Sequence, residues 1–179
     1  MRIARATAKF NELGNVLRDQ EIHLSIRRHL LEACVRPRLT YATQSWRPSE
    51  QQMKKLESCW HGFLRRMVKG GFRRKPAESE NETNFSLVYS NIEIVNIIKS
   101  KPLRDFINLQ YLRYIGHVCR RSNNNITKLS LFFIPSKSFF HDPWLIISKL
   151  LGGISISQAK RETQSRPGFN RLLKACIGD

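Results

Sequence analysis

The chain has 179 residues, 41% of them hydrophobic, enough to bury one moderate core or two small ones. Its 31 lysines and arginines face 14 acids, a formal charge of +17; self-repulsion of that size is tolerated where the partner is a polyanion, and nucleic acid is the first candidate. Several classes are excluded: no apolar run approaches the ~20 residues of a membrane span, the opening MRIARATAKF lacks the apolar centre of a secretory signal, and Cys34, Cys59, Cys119 and Cys176 form no close pair of the kind a zinc site or disulfide framework shows.

Residues 2–18 predict a first helix. Ile3, Ala6, Phe10, Leu13 and Leu17 recur at heptad spacing, while Arg2, Arg5 and Lys9 fall together on another side. Ser25 is placed to cap a second helix running to about Val35, with Ile26, Leu30, Ala33 and Cys34 inward and Arg27 and Arg28 outward. Pro37 bends or restarts it. In 38–46, Leu39, Tyr41 and Thr43 alternate as in a strand, yet the helical neighbours favour helix. Ser49 and Gln52 form a capping box for a third helix that Gly70 and Gly71 end. On that helix Met53, Leu56, Trp60, Phe63 and Met67 share one face, and Lys54, Ser58, His61, Arg65 and Lys69 the opposite one.

Residues 76–84, with Glu78, Glu80 and Glu82 among small polar side chains, are the best linker candidate. Asn91 caps a short helix holding Ile94, Val95 and Ile98, which Lys101 and Pro102 end. Residues 103–121 form the strongest helix of the second half, with Leu103, Ile107, Tyr111, Tyr114 and Val118 at helical spacing, and 122–125 form a turn. Two short helices follow, one capped by Asp142 with Pro143 at its first position, one capped by Ser157. A last helix starts at Pro167 and buries Phe169, Leu172, Leu173 and Cys176. No strand pattern persists, so the predicted class is mainly α: a helical bundle over 1–75, a linker with a short helix over 76–102, and a smaller helical segment over 103–179.

The positive charge is uneven. Residues 1–75 carry 17 cations and 6 acids, residues 76–179 carry 14 and 8. Arg65, Arg66, Lys69, Arg73, Arg74 and Lys75 crowd one helix end and its loop with no acid among them, which is tolerable where water or phosphate surrounds them. Arg2, Arg5 and Lys9 rank second, with Lys54 on the basic face of the third helix. The alternative for Arg65 to Lys69 is a favourable interaction with the helix carboxyl-end dipole. In the second half, Arg113, Arg120 and Arg121 cluster around His117, which is read either as a phosphate or ribose contact or, preferably, as a packed helix histidine. Tyr111, Tyr114, Trp46, Trp60 and Trp144 are read as core before stacking platforms.

Four stretches resemble the tail of the reverse transcriptase encoded by non-LTR (LINE-type) retrotransposons, the part that follows the polymerase palm: RIARATAKFNELGNVLRD, LLEACVRPRLTYATQSW, KKLESCWHGFLRRMVKGGFRRK and PLRDFINLQYLRYIGHVCRRSNNNITKLSLF. A fifth, DPWLIISKLLGGISISQAKRETQSRPGF, is similar to the extreme carboxy-terminal segment of those polyproteins. The resemblance implies that 1–75 is a thumb-like domain gripping template and primer, and that 103–179 is the carboxy-terminal extension. It also implies RNA and DNA as partners through their phosphate backbone, with the palm and fingers of a parent polyprotein as a further partner. The Arg-rich opening, which imitates a transit peptide, is then a helix of the fold.

Polymerase chemistry needs a carboxylate cluster that holds two metal ions. Asp19, Asp105, Asp142 and Asp179 are each isolated, and no Tyr-x-Asp-Asp turn occurs. The chain is therefore expected to be a truncated copy or gene fragment, with Met1 an internal start, non-catalytic on its own and without a cofactor; magnesium would belong to the missing palm. Nuclear placement follows from the family's chromosomal targets and the basic runs, with the cytoplasm as the alternative. The competing expectations are a helical protein-interaction module and a functionless relic.

Overall fold

The structure, a computed structural model, describes residues 1–68, 72–74, 85–132 and 142–177, with 72–74, 85–87, 176 and 177 described in backbone only. The chain divides into two compact units, Met1–Ala42 with Pro48–Arg104, and Thr43–Arg47 with Asp105–Asp179. Both are built almost entirely from helices, as the apolar periodicity predicts.

In the first unit, the expected opening helix is broken at Leu13 into α1 (Arg2–Glu12) and α2 (Gly14–Leu17). Ala6, Phe10 and Leu17 of its predicted stripe are buried, while Ile3 stays exposed. Next come α3 (Leu24–Leu30), a π-helical turn (Leu31–Val35) and α4 (Arg36–Leu39). Proline cannot donate to the preceding turn and its ring crowds it; the wider π turn immediately ahead of Pro37 accommodates both defects without ending the helix. The cap of α3 is His23, whose side chain accepts from the Ser25 N–H, in place of Ser25 itself.

The buried face of this second segment is Arg27, Leu31, Val35 and Leu39; Ile26 and Ala33, expected inward, are exposed. Arg27, expected outward, is thus a core residue. Its Nε donates to the carbonyl of Ile22 at 2.8 Å, and its Nη1 to those of Leu17 at 3.4 Å and Met67 at 2.5 Å. Leu17 and Met67 are the last residues of α2 and α6 (Glu50–Met67). One buried cation therefore serves carbonyls at the negative ends of two helices.

The long helix α6 begins with the predicted capping box: the Ser49 hydroxyl accepts from the Gln52 N–H, and the Gln52 side chain accepts from the Ser49 N–H. Its predicted stripe of Met53, Leu56, Trp60, Phe63 and Met67 is buried throughout, joined by Leu64 and Arg65. After it, β1 (Phe72–Arg74) pairs antiparallel with β2 (Phe85–Leu87), Arg73 opposite Ser86. Three-residue strands are too short to display an alternation, so the sequence gives no signal for this ladder; the expected Gly70 and Gly71 stop and the linker candidate 76–84 lie outside the described residues.

The helix assigned to the linker is instead part of the first unit's core. In α7 (Asn91–Ile98), Ile94, Val95 and Ile98 are buried, and the helix packs on both α6 and α3. Its cap is Ser90, one residue before the expected Asn91, in a capping box with Glu93. Arg28 holds its far end, donating to the Lys99 carbonyl at 2.9 Å.

The division between units falls within α8 (Leu103–Cys119), after Arg104. The second unit adds α5 (Thr43–Trp46), α9 (Ile126–Phe132), α10 (Pro143–Leu150), α11 (Ile156–Gln164) and α12 (Arg166–Ile177). Leu112, Ile115, Cys119, Ile147, Leu151, Ala159 and Phe169 are central to its core. Asp142 caps α10 as predicted, accepting from the Trp144 N–H at 2.8 Å. Gly152 and Gly153, at φ +79° and +81°, turn the chain toward α11 in the left-handed region that glycine enters freely. Ser155, two residues before the expected Ser157, caps α11. The helix α9 was not foreseen. Among the described residues no helix is long and apolar enough to cross a membrane.

Candidate nucleic-acid interface

The two helices singled out for their charge, α1 and α6, pack against each other. Phe10 and Phe63 stack across the seam with ring centroids 4.7 Å apart, and the Arg66 guanidinium lies 5.8 Å above the Phe10 ring. Burial is the main cause that pushes the Cys59 thiol pKa up, with Thr7 and Arg66 opposing it, so this cysteine is a packing group and a poor nucleophile.

Beside the seam runs a groove of about 590 Å³. Ile3 and Thr7 of α1 form one wall; Lys54, Lys55, Ser58, Cys59, Gly62, Phe63 and Arg66 of α6 form the other. It carries three cations, and no carboxylate is among the described residues lining it. An added Cβ at Gly62 would meet nothing within 4 Å, so no neighbour demands a glycine here. A helix-interior glycine costs about 1 kcal/mol relative to alanine, and what it provides is an open floor.

The other predicted contacts are placed as follows. Arg5 is exposed on α1, Arg2 is half-buried, and Lys9 is paired with Glu12 one turn on. Arg65 is 5% exposed and its Nη2 donates to the Tyr89 carbonyl at 3.3 Å and to Asn91 Oδ1 at 2.5 Å. It is a structural cation that ties α6 to the start of α7, which corrects its expected place on a phosphate-facing stripe. Arg73 and Arg74 lie on β1 instead of in a helix-end loop, and Lys69 and Lys75 lie outside the described residues. Arg113 on α8 and Arg120 just past its end lie beside a separate cleft, with Arg120 Nη1 donating to the Thr163 carbonyl at 3.2 Å. Arg121 donates to His117 Nε2 at 3.1 Å. His117 is exposed and not packed.

The preferred core roles of Tyr111 and Trp60 agree with their burial, and Trp46 and Trp144 are half-buried. Burial raises the Tyr111 phenol pKa, and Arg47, 5.4 Å from its ring, opposes that. Among the described residues no group of three His, Cys, Asp or Glu could hold a metal ion. Lys55 and Gly62 escaped the sequence reading. The signal for them was available: Lys55, Gly62 and Arg66 follow one another at steps of seven and four, a single line along the helix.

His61, on the same helix, is half-buried, and desolvation followed by the neighbouring Arg65 lowers its pKa. The folded form then holds this proton less tightly than the unfolded chain, whose histidine titrates near ~6.5. The penalty is absent at alkaline pH and accumulates as pH falls through that value. Urea unfolding at pH 7.5 and pH 5 is expected to show a loss of stability on acidification that His61→Gln reduces; an identical pH dependence in the variant would contradict this.

No protein-family model matches the chain, nor does any curated protein or any solved structure.

Proposed function

We propose that this chain is a nucleic-acid-binding fragment of a non-LTR retrotransposon reverse transcriptase, holding the template and primer backbone and carrying no polymerase chemistry of its own. The observation that supports this most is the α1/α6 groove, where Lys54, Lys55 and Arg66 meet without a carboxylate among the described lining residues. Ammonium and guanidinium groups spaced along one helix suit a run of phosphates, and Gly62 leaves room for a sugar-phosphate chain to approach the helix backbone. Such contacts position the strand and carry little sequence information.

The test is a salt titration of binding to duplex DNA and to an RNA/DNA hybrid. Each phosphate contact contributes roughly −0.9 to the slope of log affinity against log salt on duplex, so the triple change Lys54→Gln, Lys55→Gln, Arg66→Gln is expected to flatten that slope by about 2 to 3. Arg65→Gln should instead destabilise the fold. Absence of binding at low salt, or a slope unmoved by the triple change, would refute the proposal.

A further inference from the structure

We infer that the second unit holds a binding site for the phosphate group of a nucleotide, in the cleft between α8 and α12. It stands on this unit alone and is independent of the α1/α6 groove.

The cleft follows from a helix-helix contact. Gly116 lets the Phe169 ring lie directly on α8: an added Cβ would sit 2.3 Å from the ring. This brings together one face of each helix. On α8 and the residue that follows it, Arg113, His117 and Arg120 succeed one another at steps of four and three; on α12, Arg166 and Lys174 are eight apart, about two turns on. These five groups rim a cleft of about 660 Å³, within the range of pockets that take small molecules, and no carboxylate is among its described lining residues. Leu109, Phe169 and Leu173 are the apolar groups at its base.

Arg120, Arg166 and Lys174 are permanent cations on one concavity; they repel each other in the empty protein, and an anion relieves that repulsion. The concavity favours a compact anion over a passing strand. Arg120 is fixed at the cleft by its bond to the Thr163 carbonyl, and an anchored guanidinium matches the tetrahedral oxygens of a phosphate better than a freely rotating ammonium does. Apolar groups beneath a cationic rim fit a ligand with a charged end and a flat organic body, which is a nucleotide. The same chemistry is presented by a free nucleotide and by the 5′-phosphorylated end of a strand.

The full chain is titrated at constant ionic strength with four probes: ADP, adenosine, a 5′-phosphorylated single-stranded oligonucleotide and its 5′-hydroxyl twin. The expected result is binding about tenfold or more tighter for the phosphorylated member of at least one pair, the magnitude of one or two charge-assisted hydrogen bonds. Preference confined to ADP identifies a free nucleotide, and preference for the phosphorylated strand a strand end. Arg166→Gln with Lys174→Gln, both at exposed positions, should remove most of that discrimination with an unchanged circular dichroism spectrum; Lys174→Glu alone should also do so if the double variant misfolds. The Lys54, Lys55 and Arg66 triple variant should keep the discrimination, which separates this site from the groove. Equal affinity within both pairs, or discrimination that survives both cleft variants, overturns the assignment.

Discussion

Arg27→Met is expected to lower the unfolding free energy of the first unit by about 3 kcal/mol. Arg27 is 4% exposed, and three backbone carbonyls, those of Leu17, Ile22 and Met67, take its hydrogen bonds. Methionine roughly conserves the volume but donates nothing. Each carbonyl left buried without a donor costs about 1–3 kcal/mol. The Met67 oxygen keeps a second donor in Gln20 Nε2 at 3.2 Å, and removing a buried charge recovers some desolvation, so the sum over three carbonyls is an upper bound. Urea unfolding followed by fluorescence of the fully buried Trp60, with Trp46 and Trp144 replaced by phenylalanine in every variant compared, reports on this unit. Lys55→Met, at an exposed position of α6, serves as control and should stay within about 0.5 kcal/mol of the native chain. A loss below about 1 kcal/mol at Arg27 would mean that the carbonyls find other donors.

In the second unit the largest effect is expected at the contact of Phe169 with Gly116. Phe169→Ala empties a site where the ring is 2% exposed, and truncations of that kind cost about 3–5 kcal/mol. Gly116→Val attacks the same contact from the other side. The new Cβ would lie 2.3 Å from one ring carbon and 2.6 Å from another, and a buried ring has nowhere to swing. Overpacking costs about 1–3 kcal/mol, partly offset by the better helix propensity of valine over glycine. The combination of Gly116→Val with Phe169→Ala is the decisive measurement, because the valine methyls enter the space the ring vacates. The double variant should lose less than the sum of the two single losses by roughly 1 kcal/mol or more. Strict additivity would show that the contact does not hold α8 and α12 together.

These two contacts also mark where sequence reasoning stops. The stripe on α6 and the capping boxes on residues near in sequence could be read directly, since periodicity and a three-residue spacing are local properties. The Ser49 and Gln52 box and the Asp142 cap are where they were expected. Nothing local reveals that α7 lies across the flank of α6 that carries Arg65. Spacing alone assigns that flank to the basic face, and its arginine is instead sealed against Tyr89 and Asn91. Likewise Arg27 belongs to a basic dipeptide that propensity places outward, but the ends of two other helices, one of them 40 residues away, converge on it.

The sequence by itself determined the helical class, most helix starts, the apolar stripes and the excess of positive charge, because each depends on residue type and spacing along a single segment. Which cations remain available was decided only by tertiary structure. Arg27, Arg65 and Arg104 are taken up in packing, the last gripping Glu50 and Glu57 at 3.0 Å, whereas Lys54, Lys55 and Arg66 border a groove and Arg166 and Lys174 a cleft. Charge is a property of a residue, but access to water or to a ligand depends on which distant helices cover it, and only packing settles that.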